Sequence, residues 1–138
     1  MQAVAKGSFT VQIKPAVEPD VAEGVSLARM SLDKRFEGDL VGTGKGEMLS
    51  ALTPVKGSAG YVAIERVTGT LHGRAGSFVF QHAGTMDQGA QSLSITVVPG
   101  SGTGALAGIS GRFGLTIVDG KHLYEFSYEL PQTTESMP

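Results

Sequence analysis

From Leu123 to Leu130 the chain alternates without a break. Tyr124, Phe126, Tyr128 and Leu130 share one face, and Glu125, Ser127 and Glu129 the other. A period of two fits a pleated strand with one buried face, and it excludes a helix. Comparable stretches recur from Ser8 to Lys14, Val25 to Glu37, Leu40 to Leu52, Gly60 to Leu71, Ser77 to Met86, Ser92 to Val98 and Arg112 to Val118. With the last strand that makes eight candidates. Gly38-Asp39, Asp87-Gln88-Gly89 and Asp119-Gly120 supply turn chemistry between them. Only residues 16–24, AVEPDVAEG, suit a helical turn, with Asp20 as its cap. The pattern predicts an all-β protein, and closure into an eight-stranded antiparallel up-and-down barrel removes the edges a sandwich would have to protect. One domain over residues 1–130 is expected, followed by a loose polar tail, 131–138.

Composition narrows the function classes. With 11 Lys+Arg against 13 Asp+Glu and no basic run, the chain offers no footprint for a nucleic-acid backbone. The absence of Cys removes disulfides, thiolate metal sites and a cysteine nucleophile, and weakly favours the cytoplasm. No apolar run approaches a membrane span, and MQAVAKGSFTVQ lacks a signal-type apolar core. No His spacing suggests a metal, and no cofactor is expected.

An eight-stranded barrel has room for packed side chains or for one small ligand, so polar residues on inward faces matter most. Pairing Leu71 with Gly76 across a four-residue loop places Glu65 opposite His82, Val67 opposite Phe80 and Gly69 opposite Phe78. A carboxylate beside an imidazole between apolar walls is an acid–base pair, with the carboxylate orienting the ring. A one-residue slip would part them, and on the barrel exterior the same pair is a cross-strand contact worth under ~1 kcal/mol. Tyr61, Phe78, Phe80, Tyr124 and Tyr128 are the candidate ligand-lining residues. Gly42, Gly44 and Gly46 fall on one face, where they permit bending or leave room for another group.

Other signals read as structure. Gly102-x-Gly104-x-x-Ala107 mimics a dinucleotide fingerprint, but Gly108 and Gly111 interrupt the helix it would need. Ser101 lacks the strand–turn–helix setting of a nucleophile elbow. His72 and Arg74 fall in a hairpin loop, His122 is expected at the surface, and Lys45 with Glu47 is expected to form a surface ion pair.

The segments FEGDLVGTGKGEML, GYVAIERVTGTLHGRAGSFVFQHAGTM and VVPGSGTGALAGISG resemble a family of small bacterial proteins of unknown function. That family is grouped with the allene oxide cyclase-like, lipocalin-like β-barrels. The resemblance covers about Gly7 to Leu130, and the final segment, SGTGALAGISGRFGLTIVDGKHLYEFSYEL, is similar to the end of allene oxide cyclases themselves. It implies a barrel open at one end and homo-oligomers formed through barrel walls. It transfers no catalytic residue. The expected function is binding of a small, largely apolar molecule, with cofactor-independent isomerase, cyclase or lyase chemistry by Glu65 or His82. A non-catalytic carrier or sensor, and a ligand-free structural barrel, are the alternatives.

Overall fold

The computed structural model describes residues 1–131; of the predicted tail, residues 132–138 lie outside the described residues. Nine strands follow in order: β1 (Gln2–Pro15), β2 (Asp20–Ala22), β3 (Val25–Gly38), β4 (Leu40–Leu52), β5 (Ala59–Leu71), β6 (Arg74–Asp87), β7 (Ala90–Val97), β8 (Ser110–Val118) and β9 (Lys121–Glu129). Each strand from β3 to β9 pairs antiparallel with the next, and β1 joins β9 on one side to β3 on the other. The result is a closed, eight-stranded antiparallel barrel, with β2 as a short addition to β3. Among the described residues no helix is long and apolar enough to cross a membrane.

Three local expectations are corrected. Residues 16–24 form no helical turn. They lead into β2, which folds back on β3 through Glu23-Gly24, both in the left-handed region (φ 53° and 79°). The helical geometry lies instead in the glycine connector, as one 3-10 turn at Gly104–Leu106, which carries Leu106 into the core. The β5–β6 hairpin turns at His72-Gly73 (φ 48° and 80°), so Leu71 pairs with Arg74 rather than Gly76. Two consecutive left-handed residues match the right-handed strand twist and need only two loop positions. Glu65 therefore stands opposite Phe80, Val67 opposite Phe78 and Gly69 opposite Gly76, while His82 stands opposite Ala63. The shift is by two residues. Glu65 and His82 keep their common face because side chains alternate with that same period.

The lumen has two unlike halves. All six phenylalanines of the chain (Phe9, Phe36, Phe78, Phe80, Phe113 and Phe126) are buried, packed with Tyr124, Tyr128, Leu40 and Leu71 toward the end where β3 meets β4. Their rings meet edge-on or tilted, as in Phe78–Phe80 (5.1 Å between centroids) and Phe80–Phe113 (4.9 Å). The Tyr124 hydroxyl receives the Leu40 N–H (2.9 Å) and lies 2.8 Å from the Glu37 carbonyl, tying the β3–β4 turn to β9 across β1. Leu106 and Ile109 pack into the same core. The other half is open.

Candidate functional site

Along β3 the inward positions are Met30, Leu32, Lys34 and Phe36, so one cation interrupts an apolar series. Lys34 is 7% exposed, Glu65 on β5 is fully buried, and His82 on β6 is 3% exposed. One carboxylate oxygen joins them. Glu65 Oε1 lies 3.1 Å from Lys34 Nζ and 2.9 Å from His82 Nε2. Tyr61 extends the chain, its hydroxyl 3.3 Å from His82 Nδ1. An ionised carboxylate only accepts, so His82 donates from Nε2, and Nδ1 then accepts from the Tyr61 O–H. The order is phenol, imidazole, carboxylate, ammonium.

β4 lies between Lys34 and Glu65, and its glycines let the two meet. A Cβ on Gly44 would stand 2.2 Å from Glu65 Oε2 and 3.0 Å from a Phe36 ring carbon. The missing side chain is the space the carboxylate occupies. Gly42 and Gly46 meet the β5 backbone instead, where a Cβ would fall 2.1 Å from the Thr68 carbonyl and 1.9 Å from that of Ile64. Of the roles expected of this glycine row, room for another group is the one present: a side chain at Gly44, and backbone at Gly42 and Gly46.

Burial by itself would push the Glu65 carboxyl up. The His82 hydrogen bond and the Lys34 charge and hydrogen bond outweigh it and hold the group below its ordinary value. Glu65 is therefore ionised at neutral pH, with Lys34 as its buried counter-ion. Its second oxygen, Oε2, is buried with no hydrogen-bond partner among the described residues. Burial pushes the Tyr61 phenol up, and the Glu65 charge pushes it further, so that hydroxyl stays protonated.

Above this polar floor lies a cup of about 490 Å³. Its walls are apolar: Phe9, Val11 and Ile13 of β1, Met30 and Leu32 of β3, Met48 of β4, and Leu93, Leu115 and Ile117 across the barrel. Lys34, Tyr61 and His82 reach the cup, whereas Glu65 sits behind them. Tyr61 is thus the one predicted lining aromatic on the cup wall. Phe78, Phe80, Tyr124 and Tyr128 lie in the packed half, within the buried aromatic core. His122 is half-buried and lines the cup, its ring 5.1 Å from that of Phe9, which corrects the surface position expected for it. His72 does lie in its turn, where Nδ1 meets the Tyr128 hydroxyl and Nε2 is 3.5 Å from Asp39. Glu47 pairs with Arg29 (2.8 Å) across the β3–β4 ladder rather than with Lys45.

Sequence reasoning passed over Lys34. The signal was available: in MSLDKRF it falls in phase with Met30, Leu32 and Phe36, not with the charged Asp33 and Arg35.

The model of a family described as "Protein of unknown function (DUF3224)" matches residues 5–128. A crystal structure of a DUF3224-family protein of unknown function from Shewanella oneidensis is 48% identical. It covers 96% of this chain and all of its own, with a TM-score of 0.91. Among curated proteins none matches.

Proposed function

The chain belongs to the DUF3224 family of proteins of unknown function, and from the chemistry of its lumen we propose that it receives one small, largely apolar molecule in the open half of the barrel. The observation that carries this reading is the 490 Å³ apolar cup ending on Lys34, His82 and Tyr61. Pockets of roughly 300–1,000 Å³ with apolar walls and few convergent polar groups are typical of small-molecule sites. The floor suits proton transfer: His82 can take a proton at Nδ1, Glu65 stabilises the imidazolium, and the Tyr61 hydroxyl supplies a donor. Isomerisation, cyclisation or elimination needs no more than this.

A non-catalytic carrier is the second reading. It is favoured by the hydrogen bonds that engage both His82 nitrogens. Kinship with the allene oxide cyclase-like barrels belongs to the same proposal, supported by a closed antiparallel wall with one open end. So does homo-oligomerisation, supported by exposed Leu49, Val62 and Ile64 on the outer faces of β4 and β5. Residence in the cytoplasm rests on the cysteine-free composition.

The neutral fluorophore phenyl-α-naphthylamine tests the receptor reading. Wild type should bind it saturably, and Ala59→Trp, which fills the cup from its wall, should weaken binding at least ~10-fold at unchanged circular dichroism. Equal binding by both proteins would refute a lumenal site. Mass spectrometry of a metabolite extract incubated with wild type or Glu65→Gln separates the two readings. Time-dependent products formed only by wild type indicate an enzyme, and stoichiometric depletion by both indicates a carrier.

A further inference from the structure

Donors and acceptors at the cup floor are unequally spent. The Glu65 Oε1 and His82 Nδ1 acceptors are engaged within the chain. Lys34 carries three N–H donors, and among the described residues its Nζ bonds a single acceptor, Glu65. A ligand reaching the floor therefore meets an ammonium with donors to spare. Charge narrows the choice further. The Lys34–Glu65 pair is neutral as it stands, and a cationic ligand would face Lys34. An anionic ligand would leave an unbalanced charge among apolar walls, which is costly. A neutral oxygen acceptor fits both constraints.

We infer that the cup takes an apolar ketone or aldehyde bearing an α-hydrogen and catalyses its enolisation, with the carbonyl oxygen on Lys34 and His82 as the base. This deepens the proton-transfer reading above and rests on it. Lys34 Nζ and His82 Nε2 share one carboxylate oxygen, so the ammonium and the imidazole sit side by side at the same floor. A carbonyl held by one can present its α-carbon to the other. Nδ1 of His82, released from the Tyr61 hydroxyl, takes the α-proton. The C–H electron pair becomes the C=C bond of the enolate, and the carbonyl π pair moves onto oxygen, where the Lys34 ammonium faces the developing charge. The imidazolium then returns the proton to the same carbon, to oxygen, or to the γ-carbon of a β,γ-unsaturated ketone, which completes an isomerisation. Atoms and electrons balance without an oxidant or co-reactant. Glu65 is a positioning residue here: it fixes the imidazole tautomer and offsets the imidazolium, and it touches neither the cup nor the substrate.

The cup has room for about sixteen groups at the ~30 Å³ share of a water molecule. A bicyclic ketone such as β-tetralone fits that space. The experiment follows deuterium entry at its α-carbons in heavy water by NMR, with wild type, Ala59→Trp, Lys34→Arg and His82→Gln, folding being checked by circular dichroism. Displacement of phenyl-α-naphthylamine by tetralone is measured alongside. Saturable exchange is expected in wild type, suppressed by the fluorophore and reduced ~10²–10⁴-fold in His82→Gln, the usual range for a lost general base. If tetralone displaces the fluorophore but exchanges no faster than in buffer, the enolisation inference fails while the receptor reading stands. If neither compound enters the cup, both fail. Exchange that survives in His82→Gln, disappears in Lys34→Arg and leaves an adduct on Lys34 after borohydride would make the lysine a nucleophile and overturn the assignment of the base.

Discussion

Replacing Lys34 by methionine keeps most of the side-chain volume and removes the charge. In the native protein its ammonium lies 3.1 Å from Glu65, with the two side chains 7% and 0% exposed. Lys34 supplies the counter-charge to a fully buried carboxylate, whose Oε2 has no hydrogen-bond partner among the described residues. Breaking a buried pair from one side typically costs ~3–5 kcal/mol, because the remaining charge is stranded. His82 still donates to Oε1, which places the expected loss near the lower end, ~3 kcal/mol. With a urea m-value of ~2 kcal/mol/M, the midpoint should fall by roughly 1.5 M. Circular dichroism follows the transition directly in this tryptophan-free barrel. Adding Glu65→Gln to Lys34→Met removes the stranded charge, so the double variant should recover much of the loss. A Lys34→Met midpoint within ~0.3 M of wild type, or a double variant no more stable than Lys34→Met, would refute the description of a desolvated pair.

Three further outcomes follow from the same structure. Gly44→Ala should cost ~2–3 kcal/mol and weaken binding in the cup, because its methyl group would enter the space held by Glu65 Oε2. Gly114→Ala, whose Cβ would meet only the Glu125 carbonyl at 3.5 Å, should stay within ~1 kcal/mol of wild type, and equal losses in urea melts would remove the special role of Gly44. In alkali, burial raises all three tyrosines of the chain above 10.0. The folded state favours the neutral phenols, so their contribution is complete below pH 10.0 and disappears as pH rises through the folded values. Phenolate absorbance should therefore lag that of the urea-unfolded chain, and coincident titrations of the two states would contradict the burial. Glu65 works in the opposite direction. Its lowered value gives stability that is complete above 4.5 and is lost as pH falls below it.

The barrel was legible because alternation is a local property. Tyr124, Phe126 and Tyr128 announce their face within one strand, and the same holds from β3 to β9. Closure followed from the cost of exposed edges. The turn at His72-Gly73 was misjudged because GRAG looks like loop, whereas histidine in the left-handed region gives a tight turn and lets Arg74 to Gly76 extend β6. That difference moves every β6 partner of β5 by two positions, and the inward face of Glu65 and His82 survives it only because two is the strand period.

What one strand cannot announce is which end of the barrel its residues occupy. Phe78, Phe80, Tyr124 and Tyr128 share the inward phase with Tyr61, and nothing in their own strands separates packed core from ligand wall. That division is set by the end to which the bulky side chains converge, a sum over eight strands. Lys34 escaped notice for a related reason. Among Asp33, Lys34 and Arg35 it reads as one charge in a solvated run, and only its phase with Leu32 and Phe36 turns it inward. A buried lysine then requires a carboxylate, and Glu65, on the far side of β4, can reach it only over residues without side chains. Gly44, Lys34 and Glu65 are therefore one feature distributed over three strands: the side chain that Gly44 lacks is the space in which the Glu65 carboxylate meets Lys34.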